Sequence, residues 1–210
     1  MDILISLMVF GPMAAAILSF IIGRKSRSLR DRFVWAVVAA EFLLSLLLAF
    51  GPEMLVKIPG ICGFGLTFTT DGFRCIYAAI AAFMWLITGL MSPEYFSHYR
   101  NRNRYYLFQL VTLGATVAVF LSADLYTTFV FFEIMSLCSY VWVAQDEKAG
   151  SLRAGGTYLA VAVIGGMVLL MGLFLLYRET GTLMIAELAD ACAGKNLWPA
   201  ALCTSASKLW

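Results

Sequence analysis

The sequence predicts an all-α membrane protein, a bundle of about six membrane-spanning helices with its N-terminus outside the cell. Its composition, its apolar stretches and the placement of its Lys and Arg residues predict this fold class. Of the 210 residues, 61% are hydrophobic and 13% are charged, against about 45–50% and about 25% in soluble domains. With a mean hydropathy of +0.85, the chain has too few charges to cover a soluble globule. Soluble enzymes and nucleic-acid-binding proteins are therefore excluded.

The apolar stretches set the number of spans, because a helix needs about 20 apolar residues to cross a hydrocarbon core of about 30 Å. Backbone groups in lipid find no water to bond, so each stretch is predicted to be helical. The first stretch has no basic residues before it, which favours a retained span over a cleaved signal peptide. The six predicted spans are 3–22, 33–50, 73–91, 105–123, 125–144 and 158–177.

The basic residues predict the orientation, since cytoplasmic loops carry the excess of Lys and Arg. Ten lie on one side: Arg24, Lys25, Arg27, Arg30, Arg32, Arg100, Arg102, Arg104, Lys148 and Arg153. Four lie on the other: Lys57, Arg74, Arg178 and Lys195. The N-terminus is therefore expected outside and the basic loops in the cytoplasm of a multi-pass protein in the cell membrane.

The segments between and after the spans are short. An alternating stretch rich in Gly and Thr, 61–70, predicts a β-hairpin outside the membrane. Only 122–124 separates the fourth and fifth spans, which predicts a tight helical hairpin. Residues 1–177 are expected to form the six-span domain. Residues 178–210 are expected to form an outer segment, with an amphipathic helix over 182–193 and the start of a seventh span from Leu197.

Glu133 in the fifth span is the leading candidate for a functional residue, as a proton relay. An ionisable group at bilayer depth costs about 2.5–3.5 kcal/mol on insertion scales and marks a functional site by default. Helical spacing places Tyr126, Ser136 and Tyr140 on the same face of this span. An alternative is that Glu133 and its hydroxyl neighbours only join helices through hydrogen bonds.

Two further groups extend the candidate pathway. Gln109, Thr112 and Thr116 form a polar stripe on the fourth span, which is expected to face the stripe of Glu133 and enclose a hydrated route. Glu41 in the second span has Ser45 as its only polar neighbour on that face. A neutral glutamate bonded to another helix explains Glu41 as well as a transport role does.

The remaining polar residues indicate structural roles. Asp71 and Asp124 are expected to cap helices, and His98 follows a span end beside the arginines that set the topology. The five cysteines form no CxxC pair, and no nucleotide-binding or hydrolytic motif is present. Neither a metal nor a cofactor is expected in this chain.

Three strings carry a resemblance to a known family: FTTDGFRCIYAAIAAFMWLITGLMSPEYF, then YYLFQLVTLGATVAVFLSADLYTTFVFFEIMSLCSYVWVA, and TGTLMIAELA. They resemble the antiporter-like membrane subunits of respiratory complex I. The same family includes ion-pumping membrane-bound hydrogenase subunits and large subunits of multi-subunit cation/proton antiporters. The resemblance is strongest over 69–144, and VFFEIMSLCSY is its most specific segment.

The resemblance implies that Glu133 is a proton-pathway residue that works with a lysine on a broken seventh span. It also implies that the chain is the N-terminal part of a fold with about fourteen spans in two inverted repeats. Lys208 lies in no recognisable family motif, so the role of that lysine is not transferred to it. The chain is therefore expected to be an N-terminal fragment that is inactive alone.

The function expected from the resemblance is translocation of protons or cations by a membrane subunit of a redox-driven complex. Such a complex would resemble an NADH-quinone oxidoreductase or a membrane-bound hydrogenase. The expected partners are other membrane subunits, the lipid bilayer, and protons or Na⁺, with no nucleic acid. Two alternatives stay open: a subunit of a multi-subunit cation/proton antiporter, and a purely structural membrane anchor.

The orientation gives a first testable prediction. In a cysteine-free background, a cysteine at position 60 should react with an impermeant thiol reagent added to intact cells. A cysteine at position 28 should react only after the cells are opened. The reverse pattern would overturn the predicted topology.

Overall fold

The computed structural model describes residues 2–60, 64–96, 102–145, 147–193, 195 and 197–206. Eight helices and one two-stranded sheet make up this part of the chain. The helices are α1 Asp2–Lys25, α2 Arg27–Ala49, α3 Gly72–Tyr95, α4 Arg102–Leu121, α5 Leu125–Val143, α6 Ala149–Thr180, α7 Ile185–Cys192 and α8 Trp198–Ala206; the strands are β1 Met54–Ile58 and β2 Leu66–Thr70. His98, Arg100 and Lys208, which the sequence analysis singled out, lie outside the described residues.

The six predicted spans are confirmed as helices, since α1 to α6 are each long and apolar enough to cross a membrane. Large apolar side chains lie exposed on their outer faces, including Leu47, Phe73 and Met167. Such a surface suits lipid and not water, where it would drive aggregation. The fold is therefore a polytopic helix bundle.

The helices extend beyond the predicted apolar stretches, because charged residues at the membrane surface continue the helical backbone. Only Ser26 separates α1 from α2, and its hydroxyl caps α2 by accepting a bond from the Leu29 amide. The basic residues expected in a first loop therefore lie on helix ends. Similarly, α6 begins at Ala149, nine residues before the predicted start.

Helix α4 is the centre of the bundle. It packs against α1, α3 and α5, and twelve of its twenty residues are buried. Gly114 permits a close contact with α1, because a Cβ there would lie 2.7 Å from the Val9 carbonyl oxygen. Helices α1, α2 and α3 pack in sequence and contact α4 on one side of the bundle, whereas α5 continues from α4 and is followed by α6 and α8.

The predicted β-hairpin is present, but the stretch 61–70 contains only its second strand. The first strand, β1, pairs antiparallel with β2 in a register that joins Met54 to Thr70 and Ile58 to Leu66. Beyond the spans, the amphipathic helix is confirmed as α7. The apolar segment after it forms α8, which packs against α6.

The predicted caps and the tight turn are confirmed. The Asp71 carboxylate accepts a bond from the Arg74 amide at 2.7 Å, and Asp124 accepts one from the Thr127 amide at 2.6 Å. The 122–124 junction between α4 and α5 is also fixed by its neighbours. The Ala123 amide donates to Thr67 of β2 at 2.8 Å, and the Leu125 amide donates to Leu183 at 3.0 Å.

Candidate functional site

Glu133 lies on the face of α5 that packs against α6. Nine residues separate it from the Asp124 cap, which places it about 13 Å along the helix axis and near the centre of a core of about 30 Å. Its carboxylate rests against Gly166 of α6, where a Cβ would lie 2.5 Å from Oε1 and 2.6 Å from Oε2. The absence of a side chain at Gly166 therefore makes the space that Glu133 occupies.

A cavity of about 590 Å³ opens beside this carboxylate. Its walls come from α5, α6 and α8, and its polar lining consists of five side chains. They are Glu133, Ser136, Thr157, Tyr158 and Thr204. Aliphatic and aromatic side chains and two glycines complete the wall, so the cavity is a mainly apolar space with a narrow polar edge.

Tyr158 connects the two helices at this edge. Its hydroxyl donates to the Ser136 carbonyl oxygen at 3.1 Å and lies 3.5 Å from the Ser136 hydroxyl. Ser136 is one turn from Glu133 on the same face. Because hydroxyl groups both donate and accept hydrogen bonds, Tyr158 and Ser136 can hold water that reaches the carboxylate.

The other two members of the predicted stripe also face α6. Tyr140 packs on Gly155, where a Cβ would lie 2.9 Å from its ring. Tyr126 packs near the outer end, with its ring centroid 5.0 Å from that of Phe64. Phe64 in turn contacts Tyr177 of α6 at 5.2 Å. The stripe of α5 is therefore continuous from one end of its interface with α6 to the other.

The prediction that the two polar stripes face each other is wrong. On α4, Thr116 contacts the Met135 sulfur at 3.4 Å, and Met135 and Glu133 point to nearly opposite sides of α5 because two residues turn a helix by about 200°. Thr112 and Thr116 bond backbone oxygens of their own helix, at 2.7 Å and 2.8 Å. Gln109 is buried, and its backbone oxygen accepts a bond from Trp85 of α3.

Glu41 lies apart from the cavity at Glu133. It belongs to the inner face of α2, is 3% exposed and is not among the residues that line the cavity. None of the ion pairs between described residues includes Glu41 or Glu133. Across the described part of the chain, His, Cys, Asp and Glu side chains form no group of three that could hold a metal ion.

Sequence reasoning missed Tyr158, Thr204 and the role of Gly166. Tyr158 was placed at the start of the sixth span without a partner. The small residues of that span, including Ala162 and Gly166 in small-xxx-small spacing, did indicate a close helix contact. Their spacing could not show that the contact is with a carboxylate.

Comparison with known proteins gives a consistent result. Residues 122–206 match the family described as NADH:quinone oxidoreductase/Mrp antiporter, transmembrane. An antiporter subunit mnhD2 of Staphylococcus haemolyticus is 33% identical over 128 residues, and that of Staphylococcus aureus (strain Newman) is 34% identical over 128 residues. Each alignment covers 60% of this chain and 25% of the relative. The aligned part thus spans about a quarter of the length of these relatives.

Two solved structures share the fold. A chain of the membrane-bound sulfane sulfur reductase, an archaeal respiratory membrane complex, superposes with a TM-score of 0.85 at 19% identity, over 97% of this chain and 43% of that chain. A chain of the Mrp complex from Dietzia sp. DQ12-45-1b superposes with a TM-score of 0.72 at 21% identity, over 88% of this chain and 20% of that one. The family match over 122–206, the relatives and the shared fold agree with the motif around Glu133, and this chain is similar to antiporter-like multi-pass membrane subunits.

Proposed function

We propose that this chain is part of a membrane subunit that translocates protons or cations, and that Glu133 carries the proton. The position of the Glu133 carboxylate is the observation that carries the proposal. It lies near the membrane centre, at the edge of a cavity of about 590 Å³, and no described Lys or Arg is paired with it. A carboxyl in such surroundings favours its neutral, proton-bearing form, because desolvation penalises the charged form.

The polar edge of the cavity gives this proton a route. Water held by Tyr158 and Ser136 can pass a proton to and from Glu133, whereas the apolar wall restricts water to that edge. A cation that approaches the cavity stabilises the carboxylate and releases its proton, and its withdrawal restores the neutral acid. One such cycle moves one proton across the membrane when the uptake and the release take place from opposite sides.

The similar proteins support the proposed partners and the proposed source of energy. The structure with a TM-score of 0.85 belongs to an archaeal respiratory membrane complex, which supports a subunit that works beside other membrane subunits in a redox-driven complex. The curated relatives are named antiporter subunits. This observation favours, as the second candidate, a multi-subunit cation/proton antiporter driven by an ion gradient.

Substitution of Glu133 in the full-length subunit tests the proposed role. Glu133→Gln keeps the shape of the side chain and removes its titration, so the complex should assemble while proton uptake falls on the order of a hundredfold. Glu133→Asp should keep part of the activity, since only the reach of the carboxyl is shortened. The measurement is proton uptake into inverted membrane vesicles, normalised to the amount of assembled complex on a native gel.

The control is Glu53→Gln, which makes the same chemical change at an exposed loop position and should leave uptake unchanged. Uptake driven by an electron donor supports the redox-driven complex, and uptake driven only by an imposed Na⁺ gradient supports the antiporter. A Glu133→Gln complex that assembles and pumps at the wild-type rate would assign Glu133 to helix joining.

A further inference from the structure

Among the described residues of α1 to α4, three polar side chains that are at most 3% exposed have atoms without a hydrogen-bond partner. They are the Oε1 atom of Glu41, both side-chain atoms of the Gln109 amide, and the hydroxyl of Tyr106. The three residues are 3%, 1% and 1% exposed. Buried polar groups in native proteins are almost always bonded to protein or to ordered water, so water is the partner that we expect for these three side chains.

The three groups follow one another in depth. Arg30 of α2 donates to Asn103 of α4 at 3.2 Å, which fixes the register of these two parallel helices at their basic ends. Tyr106, whose ring lies 4.4 Å beneath the Arg30 guanidinium, is about 4.5 Å further along α4, and Gln109 another 4.5 Å. Glu41 comes eleven residues after Arg30 on α2, and Gly114 comes eleven residues after Asn103 on α4. Glu41 therefore lies at the depth of Gly114, about 7.5 Å beyond Gln109. Differences in depth of this size, between one polar group and the next, are bridged by one or two waters.

Glu41 lies at the same depth as Glu133, within about one helical turn. On α5, Glu133 comes eight residues after Leu125, and on α4, Leu113 comes eight residues before Leu121. Glu133 and Leu113 therefore lie at about the same depth, next to the level of Glu41. The two carboxyls lie on different sides of the central helix, however, because Glu41 belongs to α2 and Glu133 faces α6. The cavity at Glu133 therefore does not include Glu41.

A main-chain acceptor at the same depth suits the neutral form of Glu41. Pro12 in α1 has no amide hydrogen, so the carbonyl of Met8 lacks its helical donor. Gly114 of α4 packs against Val9 and Met13, which places this part of α1 at the depth of Glu41. Met8 and Pro12 are buried. A protonated glutamate is a donor, whereas the charged form has no cation here: the buried Arg30 is about 16 Å away along α2 and is paired with Asp31.

We propose that Glu41 is a second proton-binding site, separate from Glu133, and that it exchanges its proton with the basic side of the membrane through water held by Gln109 and Tyr106. The site takes a proton and no other ligand. It goes beyond the function proposed for Glu133 and does not depend on it, because it concerns binding and exchange at a different place in the bundle.

Infrared difference spectroscopy of the full-length subunit in lipid vesicles tests this site. A protonated carboxylic acid gives a carbonyl-stretch band that glutamine does not give. We expect the wild type to show such a band that is lost in Glu41→Gln and kept in Glu133→Gln and Glu53→Gln. Transfer to D₂O should shift the band by exchange. Gln109→Leu, which keeps the bulk of the side chain and removes its amide, should slow this shift at least several-fold.

Two results would overturn the proposal. Identical carboxylic-acid bands in the wild type and Glu41→Gln would show that Glu41 carries no proton. A Glu41 band that does not shift in D₂O, or that shifts equally fast in Gln109→Leu, would show a sealed acid without the water route. Loss of transport in Glu133→Gln affects neither of these two results. The proposal for Glu41 and the proposal for Glu133 can therefore fail independently. If Glu41→Gln does not fold, the exchange rates of the band in Glu133→Gln, with and without Gln109→Leu, still decide the question, since Glu133 then contributes no carboxylic-acid band.

Discussion

Gly166→Ala is expected to lower ion translocation about ten- to a hundredfold while the complex still assembles, because small displacements of a reacting group have effects of this size. The new methyl group would lie 2.5 Å and 2.6 Å from the two carboxylate oxygens of Glu133. The end of a glutamate side chain rotates easily, so the carboxylate moves and the helices stay in place. The displaced carboxylate no longer lies against α6 at the edge of the cavity.

The measurement for Gly166→Ala is proton uptake per assembled complex. Gly156→Ala is the matched control, since it makes the same change on the same helix at an exposed position with nothing within 4 Å of the new atom. It should transport as the wild type does. Wild-type transport by Gly166→Ala would show that the position of the Glu133 carboxylate against α6 is not required.

Gly114→Ala is expected to destabilise the whole bundle, in contrast to Gly166→Ala. Its Cβ would lie 2.7 Å from the Val9 carbonyl oxygen and 3.0 Å from Met13 Cγ. Backbone atoms cannot rotate away, so α1 and α4 must separate, at an overpacking cost of about 1–3 kcal/mol. The result should be a lower unfolding temperature in detergent and less folded protein in the membrane.

Gly89→Ala is the control for Gly114→Ala, because a Cβ at Gly89 meets nothing within 4 Å. It should unfold at the wild-type temperature or slightly above it, since alanine favours a helix over glycine. Equal unfolding temperatures for Gly114→Ala and Gly89→Ala would contradict the close contact between α1 and α4.

The sequence was sufficient to predict the helices, because length and apolar composition decide whether a segment can cross a membrane. The caps were also predictable, since Asp71 and Asp124 accept hydrogen bonds from backbone amides only three residues further along the chain. The strand β1 was missed because five residues with Lys57 among them give only a weak alternating pattern. The extra length of α6 was missed because polar residues outside the membrane continue a helix without an apolar signal.

The site was predictable in part. Helical spacing showed that Tyr126, Glu133, Ser136 and Tyr140 share a face, and the structure confirms that this face is continuous. Spacing within one helix does not show which neighbour that face meets, however. Helix α5 lies between α4 and α6, and packing decides which of the two helices the face of Glu133 contacts. Gly166 of α6 leaves room for the carboxylate, whereas Thr116 of α4 contacts Met135.

The hydrogen bonds that hold the 122–124 junction to its neighbours do not depend on which side chains it carries. Main-chain groups make its links to Thr67 and Leu183, and almost any amino acid supplies the same amide and carbonyl. Substitutions at 122–124 therefore leave these main-chain links in place, whereas the cap of α5 still requires the carboxylate of Asp124. Such a joint persists through long evolutionary drift, which is consistent with a fold shared at only 19% identity with an archaeal respiratory complex.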